Sequence, residues 1–85
     1  MNLYLISQDK RNGYDTYDSA IVAAPDPLTA ATIHPEEGSG YTTEEAWEDS
    51  YYVWAARPNE VDVEYLGIAK DGTKQGVILS SFNAG

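Results

Sequence analysis

Cysteine is absent from this sequence of 85 residues. The absence excludes disulfide bonds, thiolate metal sites, iron–sulfur clusters and cysteine nucleophiles. Secreted domains of this size commonly need disulfides because their hydrophobic cores are small. The composition therefore predicts a protein of a reducing compartment, the cytoplasm, folded as one domain over residues 1–85.

Basic residues are scarce, with five Lys and Arg against 14 Asp and Glu, and they are absent from residues 12–56. That stretch holds nine acids, which are Asp15, Asp18, Asp26, Glu36, Glu37, Glu44, Glu45, Glu48 and Asp49. The acids and bases outside it balance, so the whole net charge of −9 lies there. Direct binding to nucleic acid or an anionic membrane is disfavoured, since both require clustered cations. The charge favours a basic protein partner, or serves solubility alone.

Long apolar runs are also missing. The longest run of aliphatic residues, residues 20–24, has five residues, whereas a transmembrane helix requires about 20. The first residues carry neither a basic segment nor an extended apolar segment, so we expect no signal peptide.

Motifs for catalysis, metals and cofactors are not found either. His34 is the single histidine, and its place before Pro35 suggests the end of a helix; no serine stands in a Gly-x-Ser-x-Gly pattern. Three acids alternate at Glu60, Asp62 and Glu64, but neighbours on one face of a strand are about 7 Å apart, too far to share one ion easily. We therefore expect no enzyme, metal or cofactor.

Hydrophobic patterning predicts two strands, at residues 3–7 and 17–24, followed by a short helix. The nearly continuous apolar residues of the first strand indicate that both its faces are covered. Asp26 is suited to cap the helix and Pro27 to begin it, while Pro35 ends it. Thr42-Thr43-Glu44-Glu45 resembles a capping box and allows a further helical turn at residues 43–49. Residues 51–56 fit either a strand or a loop.

The last third predicts two more strands. Val61, Val63 and Tyr65 alternate with acids, and Asp71-Gly72 is typical of a hairpin turn before the strand at 76–82. A two-residue turn there would pair Val61 with Phe82, Val63 with Ser80 and Tyr65 with Ile78. The predicted fold class is α+β, a four-stranded antiparallel sheet (β-β-α-β-β) with one short helix on one face.

Aromatic residues are the most informative feature for function. They cluster at residues 14–17 and again at Tyr41, Trp47, Tyr51, Tyr52 and Trp54. Aromatic anchors with a charged rim are typical of protein-binding hot spots. The alternative is that the two tryptophans cover the open side of the sheet.

Three segments resemble a group of small acidic phage and prophage proteins of unassigned function. They are residues 1–8 (MNLYLISQ), 13–20 (GYDTYDSA) and 76–85 (GVILSSFNAG). The size, acidity and layout are also similar to many anti-CRISPR proteins. The resemblance implies a phage-encoded counter-defence protein in the bacterial cytosol, whose carboxylates stand in for phosphates on a basic surface of a host immune protein or nucleoprotein complex.

The function predicted on this basis is stoichiometric inhibition of a host defence system. The predicted partner-binding residues are the acids Glu36, Glu37, Glu44, Glu45, Glu48 and Asp49 with the aromatic anchors Trp47, Tyr51, Tyr52 and Trp54. One alternative is a sponge that sequesters a nucleotide immune signal through Tyr14, Tyr17 and Arg57. Another is a structural or regulatory phage protein that forms homo-oligomers through a strand edge or its aromatic cluster.

Overall fold

The computed structural model describes residues 1–9, 16–39, 44, 46–47, 53–55 and 57–83. It contains the strands β1 (Asn2–Ser7), β2 (Thr16–Ala24), β3 (Asp62–Ile68) and β4 (Gly76–Asn83), the helix α1 (Pro27–Thr32) and 3₁₀ turns at Pro35–Ser39 and Pro58–Glu60. The predicted α+β class is confirmed, since the four strands form one antiparallel sheet with one short helix. In the part of the chain described, no helix is both long and apolar enough to cross a membrane.

The strand order in the sheet is β3-β1-β2-β4, so β3 and β4 lie at opposite edges. The predicted pairing of β3 with β4 is therefore wrong. β1 pairs with both β2 and β3, while β4 pairs with β2. The nearly continuous apolar sequence of β1 predicted cover on both faces, but Leu3 and Leu5 on one face are only half-buried.

The turn that suggested a hairpin is nevertheless present. The Thr73 N–H donates to the Lys70 carbonyl at 3.1 Å, and Gly72 has φ +86°, a left-handed conformation that glycine adopts without strain. However, β3 ends at Ile68 and β4 begins at Gly76. The seven residues between them carry the chain across one end of the sheet. The alternation of apolar residues in β3 therefore predicted which face of the strand points inward but not which strand lies beside it.

The core lies between one face of the sheet and α1. Tyr4 and Ile6 of β1 are buried there beside Val22 of β2, and Ala30 and Ile33 cover them from the helical side. The opposite face carries half-buried Leu3, Leu5 and Ile21 with exposed Leu79. The described segments thus leave one sheet face partly open, which suits a chain too short for two covering layers.

Helix α1 begins as predicted. Asp26 has an extended backbone, and its carboxylate accepts a hydrogen bond from the Thr29 N–H at 2.7 Å. Pro27 follows at the first helical position, where its missing N–H costs no hydrogen bond. The hydrogen bond to Thr29 lowers the pKa of Asp26 below its ordinary value.

We expect the Asp26 cap to make stability depend on acid pH. Because the folded-state pKa is the lower one, the contribution is complete above the unfolded value of about 3.9 and is lost as pH falls through the folded value. Asp26→Asn keeps a capping oxygen without the titrating group, so its unfolding midpoint should fall less steeply over this pH range. Thermal unfolding of both proteins between about pH 2 and pH 6 checks this, and parallel slopes would contradict it.

Candidate protein-binding surface

An aromatic cluster joins the end of α1 to the segments at 46–47 and 53–55. The buried His34 ring packs edge-to-face on Trp47, with centroids 4.9 Å apart at 87°, and lies 6.3 Å from Trp54 at 61°. The sequence suggested a helix-end position for His34, but not that its ring would lie between two indoles. The cluster fixes two separate segments against the helix.

The turn after α1 holds His34 in place. The His34 carbonyl accepts from the Glu37 N–H, and its Nδ1 accepts from the Glu36 N–H, both at 3.0 Å. Because Nδ1 is the acceptor, a neutral ring carries its proton on Nε2. Pro35, which excludes helical geometry at His34, begins the 3₁₀ turn that carries both glutamates.

The two tryptophans differ in position. Trp47 is half-buried, and its Nε1–H donates to the Thr32 carbonyl at 2.8 Å. Trp54 is 0% exposed and belongs to the core. It is therefore a core residue rather than the surface anchor predicted. Trp47 keeps part of its indole accessible while its orientation is fixed.

Three of the predicted acids lie within the described residues. Glu36 and Glu37 are half-buried in the 3₁₀ turn, and Glu44 is exposed. Glu44 and its described neighbours Ala46 and Trp47 have helical backbone geometry. Glu36 and Trp47 therefore meet at His34, with Glu44 three positions before Trp47. The predicted residues Glu45, Glu48, Asp49, Tyr51 and Tyr52 lie outside the described residues.

Glu37 extends toward the sheet. Its Oε1 lies 3.0 Å from the position that a Cβ on Gly76 would occupy, and Gly76 has φ +143°. Glycine is thus favoured where β4 begins because of its backbone conformation, whereas the flexible Glu37 carboxylate could move aside for a Cβ. The turn Pro35–Ser39, called the acidic turn below, therefore lies beside the β4 edge of the sheet.

Two of the three residues proposed for nucleotide binding, Tyr17 and Arg57, lie within the described residues. The Tyr17 side chain is buried, with its ring 4.8 Å from that of Phe82, and Tyr14 lies outside the described residues. Arg57 lines a polar cleft of about 530 Å³ with Asp9, Asn59, Glu60 and Asp62. Three carboxylates beside one cation disfavour a phosphate ligand. Among the residues described, no cluster of His, Asp and Glu is suited to hold a metal ion.

Comparison with known proteins adds no relative. No protein family, curated protein or solved structure matches the chain significantly.

Proposed function

We propose that this protein is a phage-encoded inhibitor of a host defence system that acts by stoichiometric protein binding. The observation that supports it best is the position of Glu36 and Trp47 against the same buried His34. An accessible indole and a carboxylate-bearing turn are thereby held at fixed positions, and Glu44 adds an exposed acid nearby in sequence.

Electrostatics explains how such a surface would inhibit. Residues 12–56 present nine acids and no base, so they are attracted to the cationic grooves that immune complexes use for nucleic acid. Carboxylates there occupy phosphate positions, and oppositely charged surfaces also speed encounter. Trp47 supplies the apolar contact that such interfaces concentrate at their centres.

The Trp47 side chain is ordered before any partner binds, and this favours binding. Immobilising a flexible side chain on association costs about 0.5–1.5 kcal/mol. The Trp47 ring is already fixed by His34 and by its hydrogen bond to Thr32. The indole should therefore bind a partner with little further loss of conformational freedom.

A tagged pull-down from bacterial host lysate, with mass spectrometry of the captured proteins, tests the proposal. We expect one nucleic-acid-binding complex that dissociates at high salt, because attraction between exposed charges is screened. The purified complex should then lose nucleic-acid binding when one equivalent of this protein is added. Capture of nothing by a folded protein, or capture that leaves nucleic-acid binding intact, would count against it.

A further inference from the structure

The two edges of the sheet differ in charge. β3 presents the exposed carboxylates of Asp62 and Glu64. β4 carries no charged residue and no proline, and the uncharged sequence extends from Gln75 to Gly85. Natural proteins commonly protect edge strands from pairing with charges, prolines or short lengths. β3 has such charges, whereas the eight-residue β4 has neither a charge nor a proline. β4 does have a β-bulge, another protective feature, at Ile78 opposite Ile21 and Val22, but the segment from Leu79 to Ser81 pairs regularly with β2.

The side chains of β4 are also apolar and exposed. Ile78 is 52% and Leu79 65% exposed, and Phe82 is partly exposed beside Tyr17. Among the described strands β4 pairs with β2 alone, so the backbone groups on its other side have no strand partner there. An edge with these properties is a template for another strand.

We propose that β4 pairs antiparallel with β4 of a second copy, forming a two-fold symmetric dimer with a continuous eight-stranded sheet. The distribution of charge is the reason for proposing a second copy of the chain as the partner of β4. A chain of net charge −9 repels its own copies, and β4 is the edge at which two copies meet without opposing like charges. Pairing through β3 would instead bring Asp62 and Glu64 against the same residues of the partner. The inference does not depend on the proposed inhibitory function.

The two-fold axis is placed near Ser80 because Leu79, Ser80 and Ser81 pair with β2 without a register shift. Opposite residues in an antiparallel pair share a face, so Leu79 would lie across from Ser81 of the partner subunit. Leu79 borders the open sheet face, in a groove of about 240 Å³ that also includes Leu5 and Ile21. A dimer about this axis continues that apolar surface from one copy into the next.

Two acids lie beside β4, Asp18 and Glu37. Asp18 is exposed on β2 opposite Ser81 and Phe82, so the two symmetric Asp18 residues would be three strand spacings apart, about 14 Å. The Glu37 carboxylate lies beside Gly76. Gly76 is four residues before Ser80, which is about 13 Å along a strand. The symmetric glutamates are then separated by about 26 Å, well beyond the screening length of about 8 Å at physiological salt. The acidic turns therefore do not oppose the pairing.

Disulfide cross-linking tests the register directly because the native chain has no cysteine. Opposite Cα atoms at an antiparallel pair are about 4.5–5.5 Å apart, within the range of a disulfide. Under mild oxidation, Ser80→Cys should form a covalent dimer, whereas Glu64→Cys on the β3 edge should form at least tenfold less. Equal cross-linking of the two variants would overturn the proposal.

Charge at the same edge provides a second test. Sedimentation equilibrium of the native protein should show a rise from the 9.3 kDa mass of one chain to twice that mass as concentration increases. Ser81→Glu and Ser81→Lys should each raise the dimer dissociation constant by about tenfold or more, since either places like charges near the axis. The control Glu64→Lys should leave it within about twofold. Circular dichroism verifies that each variant folds.

Two results would refute the inference. One is a native protein that remains monomeric at millimolar concentration. The other is a dimer whose dissociation constant responds to Glu64→Lys but not to either Ser81 variant, which would place the interface at β3.

Discussion

Trp54→Ala is expected to lower the free energy of unfolding by about 3–5 kcal/mol, as for other large-to-small substitutions in cores. The indole is fully buried and packs with His34 and with the apolar residues beneath the sheet. Domains of this size have a total stability of about 4–13 kcal/mol. If the native stability lies at the lower end of that range, much of the variant should be unfolded at physiological temperature. Urea denaturation followed by circular dichroism measures the loss.

Two control substitutions separate this effect from a general sensitivity to truncation. Leu28 is 82% exposed on α1, so Leu28→Ala should change stability by no more than about 0.5 kcal/mol. Trp54→Phe should cost less than alanine because it keeps an aromatic ring and removes an N–H for which the described residues provide no acceptor. A loss below about 1 kcal/mol for Trp54→Ala would show that Trp54 is not part of the core.

Reversing two described acids beside Trp47 should impair partner binding while preserving the fold. We expect Glu36→Lys with Glu44→Lys to slow association with the captured complex by about tenfold to a hundredfold and to reduce its salt dependence. Both side chains are at least partly accessible. The Glu36 contact with His34 uses the backbone N–H, which lysine retains. Surface plasmon resonance across a range of salt concentrations measures both effects.

The matched control is Asp62→Lys with Glu64→Lys, which changes the net charge equally at the β3 edge. β3 and β4 form opposite edges of the sheet, and the first residue of β4 lies beside the acidic turn. If binding depends on a local surface, the control should keep an association rate within about threefold of the native value. Equal losses in the two double variants would show that only overall charge matters.

The sequence predicted the elements of the fold better than their arrangement. The cap at Asp26 and the proline after it are local signals, and the helix begins there because local chemistry determines helix starts. The partner of β3 depends on contacts far along the chain. Alternation correctly indicated that Val61 and Val63 face the core, but any neighbouring strand satisfies that pattern.

The candidate site shows the same limit. Trp47 lies among acids in the sequence, whereas Trp54 stands between Val53 and Ala55. Trp47 is half-buried and Trp54 is fully buried. His34 packs against both rings, and a single histidine before a proline gives no warning of that role. The indication available in the sequence was the apolar neighbours of Trp54.

The placement of β3 and β4 on either side of the β1–β2 pair has a consequence for folding kinetics. Asn2 pairs with Ile68, and the Met1 carbonyl accepts from the Ala69 N–H. Such distant contacts require closure of long loops before they contribute stability, which places folding in the range of milliseconds to seconds. During synthesis, β1 and β2 emerge from the ribosome well before either outer strand. Until β3 and β4 are synthesised, both edges of the β1–β2 hairpin are unpaired, so association between incomplete chains competes with folding.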